Sequence, residues 1–276
     1  MALISSAALA ERLGDPRLRL LDVRWWLTEP GRGHRDYLVG HLPGAVWVDL
    51  DRDLTAPSGP GRHPLPRPAD FTRRMAELGV DDDADVVVYD DAGGAIAARL
   101  WWMLDDLGHR SVRVLDGGFV PWAATGLAVT TDIPTPSTGR LTLARRWTRV
   151  VDREGLLARL GSVALVDARA PERYRGEVEP VDAYPGHIPT AINLPLVGNL
   201  EPDGRFLPPD RLRERFASLG AEVVVSCGSG VNACHEALAM RVAGLPDPLL
   251  YEGSYSDWTR SGMAVATGDE PGAMPA

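Results

Sequence analysis

Val223-Val224-Val225-Ser226-Cys227-Gly228-Ser229-Gly230-Val231-Asn232-Ala233 decides the fold of this 276-residue chain. A short β-branched run ends in a small-residue loop, and a helical stretch, Ala233 to Val242, follows. That order predicts a buried parallel strand, a tight turn and a helix, the unit of an open α/β sheet. Ligands in such sheets gather beyond the carboxyl ends of the strands, where Cys227 stands. Two glycines allow the loop unusual backbone angles. Its N–H groups can then converge, and the next helix adds its positive end. Both features stabilise a thiolate, so Cys227 is predicted to be a nucleophile rather than a small core residue. Gly228, Ser229, Gly230, Val231 and Asn232 are the candidate cradle for a bound anion. Cys234 falls inside the predicted helix and reads as packing.

Working outward, the chain repeats itself. Leu20-Leu21-Asp22-Val23-Arg24 matches Leu165-Val166-Asp167-Ala168-Arg169, and Gly40-His41-Leu42-Pro43 matches Gly186-His187-Ile188-Pro189. Val86-Val87-Val88-Tyr89-Asp90 matches Val223-Val224-Val225-Ser226-Cys227. Leu115-Asp116-Gly117-Gly118 matches Tyr251-Glu252-Gly253-Ser254, and Trp122 matches Trp258. The offsets run 145, 146, 137, 136 and 136, so the first half carries nine extra residues between Gly40 and Asp90. The Pro/Gly-rich stretch Ala56 to Pro68 is the expected place and reads as a surface loop. Two homologous domains follow, residues 1–125 and 147–276, each a parallel sheet flanked by helices. A Thr/Pro-rich interdomain linker, residues 126–146, joins them. The first domain has Asp90 at the position of Cys227 and is expected to be non-catalytic.

Bulk properties narrow the partners. The net charge of −9 argues against nucleic acid. No apolar run reaches the roughly 18 residues of a membrane span, and the N-terminus does not read as a signal peptide. Two cysteines seven residues apart make no disulfide framework and suit a reducing cytoplasm.

These motifs resemble the tandem-domain rhodanese-like sulfurtransferases. Tyr37-x-x-Gly40-His41-Leu42-Pro43-Gly44-Ala45 is similar to the family's N-terminal motif, and Tyr251-Glu252-Gly253-Ser254-Tyr255-x-x-Trp258 to its C-terminal one. The resemblance implies that Cys227 takes a sulfur from a donor, holds it as a persulfide and passes it to a thiol, such as a reduced thioredoxin-like protein, or to cyanide. It implies no cofactor or metal. It assigns Arg173 to the donor's carboxylate, which a guanidinium fork suits. Ser229 and His41 are the candidates for proton transfer. Asp167 and Arg169 are expected to support loops, and Trp25, Trp26, Trp101 and Trp102 to pack. The neutral Gly228-Ser229 pair favours 3-mercaptopyruvate over thiosulfate, while Val181 and Asn232 depart from the mercaptopyruvate pattern. Two other classes compete. A cysteine phosphatase needs an arginine closing the loop, where Ala233-Cys234-His235 stand. A non-catalytic interaction module would not need an intact Cys227 loop.

Overall fold

The structure, a computed structural model, describes residues 2–273. It contains two parallel five-stranded sheets. The first is built from β1 (Leu3–Ile4), β2 (Leu18–Asp22), β3 (Ala45–Trp47), β4 (Asp85–Tyr89) and β5 (Val112–Leu115), in the order β1-β5-β4-β2-β3. The second uses β6 (Val150–Val151), β7 (Ala164–Asp167), β8 (Ala191–Asn193), β9 (Val223–Ser226) and β10 (Leu249–Tyr251), in the order β6-β10-β9-β7-β8. The two orders are the same pattern, as the repeat requires. The central strands β4 and β9 are buried valine runs, as expected for strands covered on both faces. Trp122 and Trp258 are buried at matching places. Each donates its indole N–H to a carbonyl six residues on, Ala128 and Ala264 respectively.

Two compact units divide the chain, though not by a single cut. The first comprises Met1–Thr55, Pro66–Thr148 and Leu200–Phe206; the second comprises Ala56–Leu65, Arg149–Asn199 and Leu207–Ala276. Each unit therefore includes a short segment from the other half of the sequence. In the first unit that segment packs on the loop after β4. A methyl group built on Gly93 would lie 2.6 Å from Leu200 Cδ1, and one on Gly94 would lie 3.3 Å from a ring carbon of Phe206.

The segment Ala56–Leu65 corrects the reading of a plain surface loop. Residues 57–60 are exposed, but His63, Pro64 and Leu65 are buried. Residues 126–146 are also more than a tether. Thr130 pairs with His41 as an antiparallel bridge. Further on, the Gly139 amide donates to the Ala76 carbonyl and the Ala144 amide to the Leu107 carbonyl. Those bonds hold the stretch along the first unit. Among the described residues no helix is long and apolar enough to cross a membrane.

Candidate active site

Cys227 lies one residue past β9, buried, at the start of the turn into the helix Ala233–Val242. The segment after β10 seats it. Ser254 Oγ accepts the Cys227 amide at 3.1 Å and donates to the Tyr251 carbonyl at 2.9 Å. The Tyr255 amide donates to the Cys227 carbonyl and the Ser256 amide to the Gly228 carbonyl. To reach this position Ser254 adopts φ +50°, a region where Gly118 stands in the first unit. Gly230 has φ +77°, and a side chain there would sit 2.3 Å from the Glu252 carbonyl oxygen. The loop is thus closed from below by backbone and must keep this glycine.

The first unit shows what such a loop does to an anion. Both oxygens of Asp90 are satisfied by backbone amides: Ala92 and Gly94 donate to Oδ1, Ile96 and Ala97 to Oδ2, all within 2.9 Å. The lobe without the cysteine fills its own cradle with a carboxylate.

Ser229 is hydrogen-bonded to His63, with Nδ1 and Oγ 2.7 Å apart. His63 belongs to the segment Ala56–Leu65 of the second unit. His63 is not among the residues expected from the sequence, where His41 stands for proton transfer. His41 is fully buried in the first unit. Its ring stacks on Tyr37 at 3.9 Å, and its nitrogens face the Tyr37 and Asp132 carbonyls at 2.8 and 3.1 Å. His187 is held identically, on Tyr174 and by the Tyr174 and Glu270 carbonyls. His41 therefore has a counterpart in His187, and the nitrogens of both rings face carbonyls. The signal for His63 is the nine-residue excess of the first half, since His63 lies in the Pro/Gly-rich stretch expected to carry that excess.

Arg173 faces the loop. Its Nη1 would lie 3.5 Å from a methyl group built on Gly228. Nη2 and Nε bind Glu179, at 2.6 and 3.2 Å, and Nη2 also reaches Asp182 at 3.1 Å. Burial works to raise the Glu179 carboxyl. The Arg173 hydrogen bond and the Asp182 and Val181 amides outweigh it and hold Glu179 below the usual carboxylate range. Arg169 makes a buried bidentate pair with Asp167, donates to the Gly186 carbonyl and lies 3.8 Å over the Tyr255 ring. Arg24, Asp22 and Gly40 repeat that arrangement in the first unit. A pair present in both lobes is scaffold. Asn232 is half-buried before the helix and makes no side-chain cap bond. Cys234 is buried, and its thiol donates to the Gly230 carbonyl at 3.3 Å.

A model described as "Rhodanese-like domain" matches residues 5–125 and again residues 152–261. The chain belongs to the rhodanese-like family. It is a sulfurtransferase of the tandem-domain type. A Pseudomonas aeruginosa relative described as "Probable 3-mercaptopyruvate sulfurtransferase" is 46% identical over 279 residues, covering 97% of this chain and 98% of the relative. A "Thiosulfate sulfurtransferase" of Rattus norvegicus is 37% identical, covering 94% of this chain and 92% of its own. The solved 3-mercaptopyruvate sulfurtransferase from Leishmania major superposes with a TM-score of 0.83 at 30% identity, covering 94% of this chain and 74% of its own.

Proposed function

We propose that Cys227 of this sulfurtransferase carries the sulfur and that 3-mercaptopyruvate is its favoured donor. The observation that carries the donor choice is the hydrogen bond between Ser229 and His63. When a thiolate takes sulfur from mercaptopyruvate, the carbon–sulfur bond breaks and its electron pair stays on carbon. The product is the enolate of pyruvate, which must gain a proton. The donor's thiol proton has to leave sulfur in the same turnover. A hydroxyl and an imidazole in contact can carry a proton between those positions. Thiosulfate makes no such demand, because it leaves as sulfite without forming a carbanion.

The amides of the loop from Gly228 through Asn232 would receive the persulfide anion, as the amides of the loop after β4 receive the Asp90 carboxylate. Arg173 binds the donor's carboxylate. In the second half-reaction an acceptor thiolate, or cyanide, attacks the outer sulfur, and Cys227 leaves as thiolate. A reduced thioredoxin-like protein or a small thiol fits as acceptor. A reducing cytoplasm suits two free, buried cysteines.

Thiosulfate as the donor is the second reading, favoured by the positive charge that arginines bring to a loop with none of its own. Steady-state kinetics with both donors side by side separate the two readings. A higher kcat/KM for 3-mercaptopyruvate is expected, and the reverse order would overturn the donor assignment.

A further inference from the structure

Gly228 follows the reactive cysteine, and a second guanidinium reaches it. Arg62 Nη2 would lie 3.1 Å from a methyl group built on Gly228, nearer than either nitrogen of Arg173. Arg62 belongs to the segment Ala56–Leu65 of the second unit, next to His63. That segment is fastened to the elements that seat Cys227. The Arg62 amide donates to Ser256 Oγ at 3.0 Å, the Leu65 amide to Glu252 Oε2 at 3.2 Å, and Arg260 to the Gly61 carbonyl at 2.9 Å.

The two arginines are tied by one carboxylate. Asp182 accepts from Arg62 Nη1 at 2.7 Å through Oδ1 and from Arg173 Nη2 at 3.1 Å through Oδ2. Asp182 is almost wholly buried, while the arginine side chains keep 17% and 19% of their surface. The pair can thus meet a ligand without being free to swing into solvent. Each guanidinium spends one edge on internal carboxylates: Arg62 uses Nη1, and Arg173 uses Nε and Nη2. The nitrogens that face Gly228 are the remaining ones, Nη2 of Arg62 and Nη1 of Arg173. Arg62 Nε is buried and has no hydrogen-bond partner among the described residues. Buried donors in folded proteins are paired, so an orphan beside a reactive loop points to a group that arrives with the ligand.

We propose that Arg62 is the second arm of the donor site, paired with Arg173 beside Gly228 to grip the oxyanion end of the sulfur donor. Asp182 holds both arms and offsets their mutual repulsion. Gly228 is side-chain-free because the arms stand where a side chain would be. The loop needs no basic residue of its own, since two distant arginines supply the charge in space. The ligand chemistry is an oxyanion next to a transferable sulfur, either the carboxylate of a mercapto acid or the sulfonate-like oxygens of thiosulfate. Arg62 is a specificity residue for the reading of Cys227 as sulfur carrier, on which this inference rests.

The test uses the whole protein with two alkylating probes of similar size, anionic iodoacetate and neutral iodoacetamide. Labelling of the Cys227 peptide is followed by mass. Arg62→Gln keeps the reach of the side chain and removes the charge. The iodoacetate-to-iodoacetamide rate ratio at Cys227 is expected to fall about tenfold, since one nearby charge is worth roughly that factor in a half-buried site. KM for 3-mercaptopyruvate and for thiosulfate should rise about tenfold, with kcat changed less than about threefold. Arg62→Lys keeps the charge and loses the fork, so it should keep the alkylation ratio while raising KM. An unchanged ratio and unchanged KM in folded Arg62→Gln would overturn the proposal. If Arg62→Gln does not fold, an unchanged KM in Arg62→Lys overturns it instead. A parent protein that transfers no sulfur yet prefers iodoacetate in an Arg62-dependent way would remove the donor reading and keep the anion site.

Discussion

His63 Nδ1 lies 2.7 Å from Ser229 Oγ, although 166 residues separate the two in sequence. A pair brought together over that distance must be held by the fold on both sides. Ser229 is fixed by the loop after β9, and His63 by the bonds that tie its segment to Glu252, Ser256 and Arg260. The donor reading assigns this pair the proton that mercaptopyruvate cleavage requires. Ser229→Ala and His63→Gln should each lower kcat with mercaptopyruvate by about 10²-fold, within the usual range for losing a general acid–base group. The double variant should be no worse than the poorer single one, because the two act as a unit. With thiosulfate the same variants should stay within about fivefold of the parent, since no carbanion forms. Equal losses with both donors would show that the pair serves the loop's structure instead.

Cys227→Ser should abolish sulfur transfer from either donor. After donor treatment of the parent, the mass of one added sulfur atom should appear on the Cys227 peptide and be lost on adding cyanide. Cys234 is bonded to the Gly230 carbonyl and buried in the following helix, so its peptide should stay unmodified. Sulfur found on Cys234 would overturn the assignment of the nucleophile.

His41 and His187 make the same bonds in the two units, so replacing either should cost stability rather than chemistry. Each buried ring lies between the carbonyl of the tyrosine before it, Tyr37 or Tyr174, and one distant in sequence, Asp132 or Glu270. Loss of such a ring leaves buried acceptors and a void, and costs about 2–3 kcal/mol. His41→Ala should lower the unfolding free energy from urea titration by that amount while kcat per folded molecule stays at the parent value. A fall in kcat without a fall in stability would place His41 in the mechanism.

Much of this architecture is legible in the sequence, and the reason is local. Val86-Val87-Val88 and Val223-Val224-Val225 declare buried parallel strands by composition alone, and the loop after each is short. The Cys227 loop is therefore readable with its neighbours in sequence. Arg62 and His63 are not, because Pro/Gly-rich composition indicates a loop without saying which surface it covers. Gly-His-Leu-Pro of the first half matches Gly-His-Ile-Pro of the second, and a residue shared by the lobe with the cysteine and the lobe without it is more simply structural. Asymmetry shows in two places, the exchange of Asp90 for Cys227 at a matched position and the unmatched excess of the first half.

Asp90 gives a prediction for the lobe without the cysteine. Its carboxylate takes four backbone amides, and Asp91 beside it is pushed up to about 6 by burial and then by the Asp90 charge. Asp90→Asn keeps the size and removes the charge. It should destabilise the protein by about 2–4 kcal/mol, since two acceptor oxygens become one and an amide donor then faces amides. The carboxyl of Asp91 should titrate at lower pH once its like-charged neighbour is gone. Carboxyl-carbon NMR titration reads that shift directly. Asp91 left unmoved would mean that burial alone sets its value.

Glu236 gives the pH dependence of stability. It sits fully buried in the helix that follows the Cys227 loop, with Oε1 taking a hydrogen bond from Asn199 Nδ2 at 2.9 Å and Oε2 without a partner. Burial pushes its carboxyl up to about 7, against the pull of the Asn199 hydrogen bond and the Arg215 charge. Its ordinary value is 4.5, so the folded state holds the proton more tightly than the unfolded chain. The resulting stability is complete below the unfolded value, weakens as the unfolded carboxyl ionises, and is lost as pH rises through about 7. A gap of that size corresponds to on the order of 3 kcal/mol. Glu236→Gln cannot ionise, so it should match the parent at about pH 4 and exceed it by about 2–3 kcal/mol at about pH 8 in urea unfolding. Parallel stability curves for the two proteins would show that Glu236 keeps its ordinary value in the fold, and that Asn199 and Arg215 offset the effect of burial.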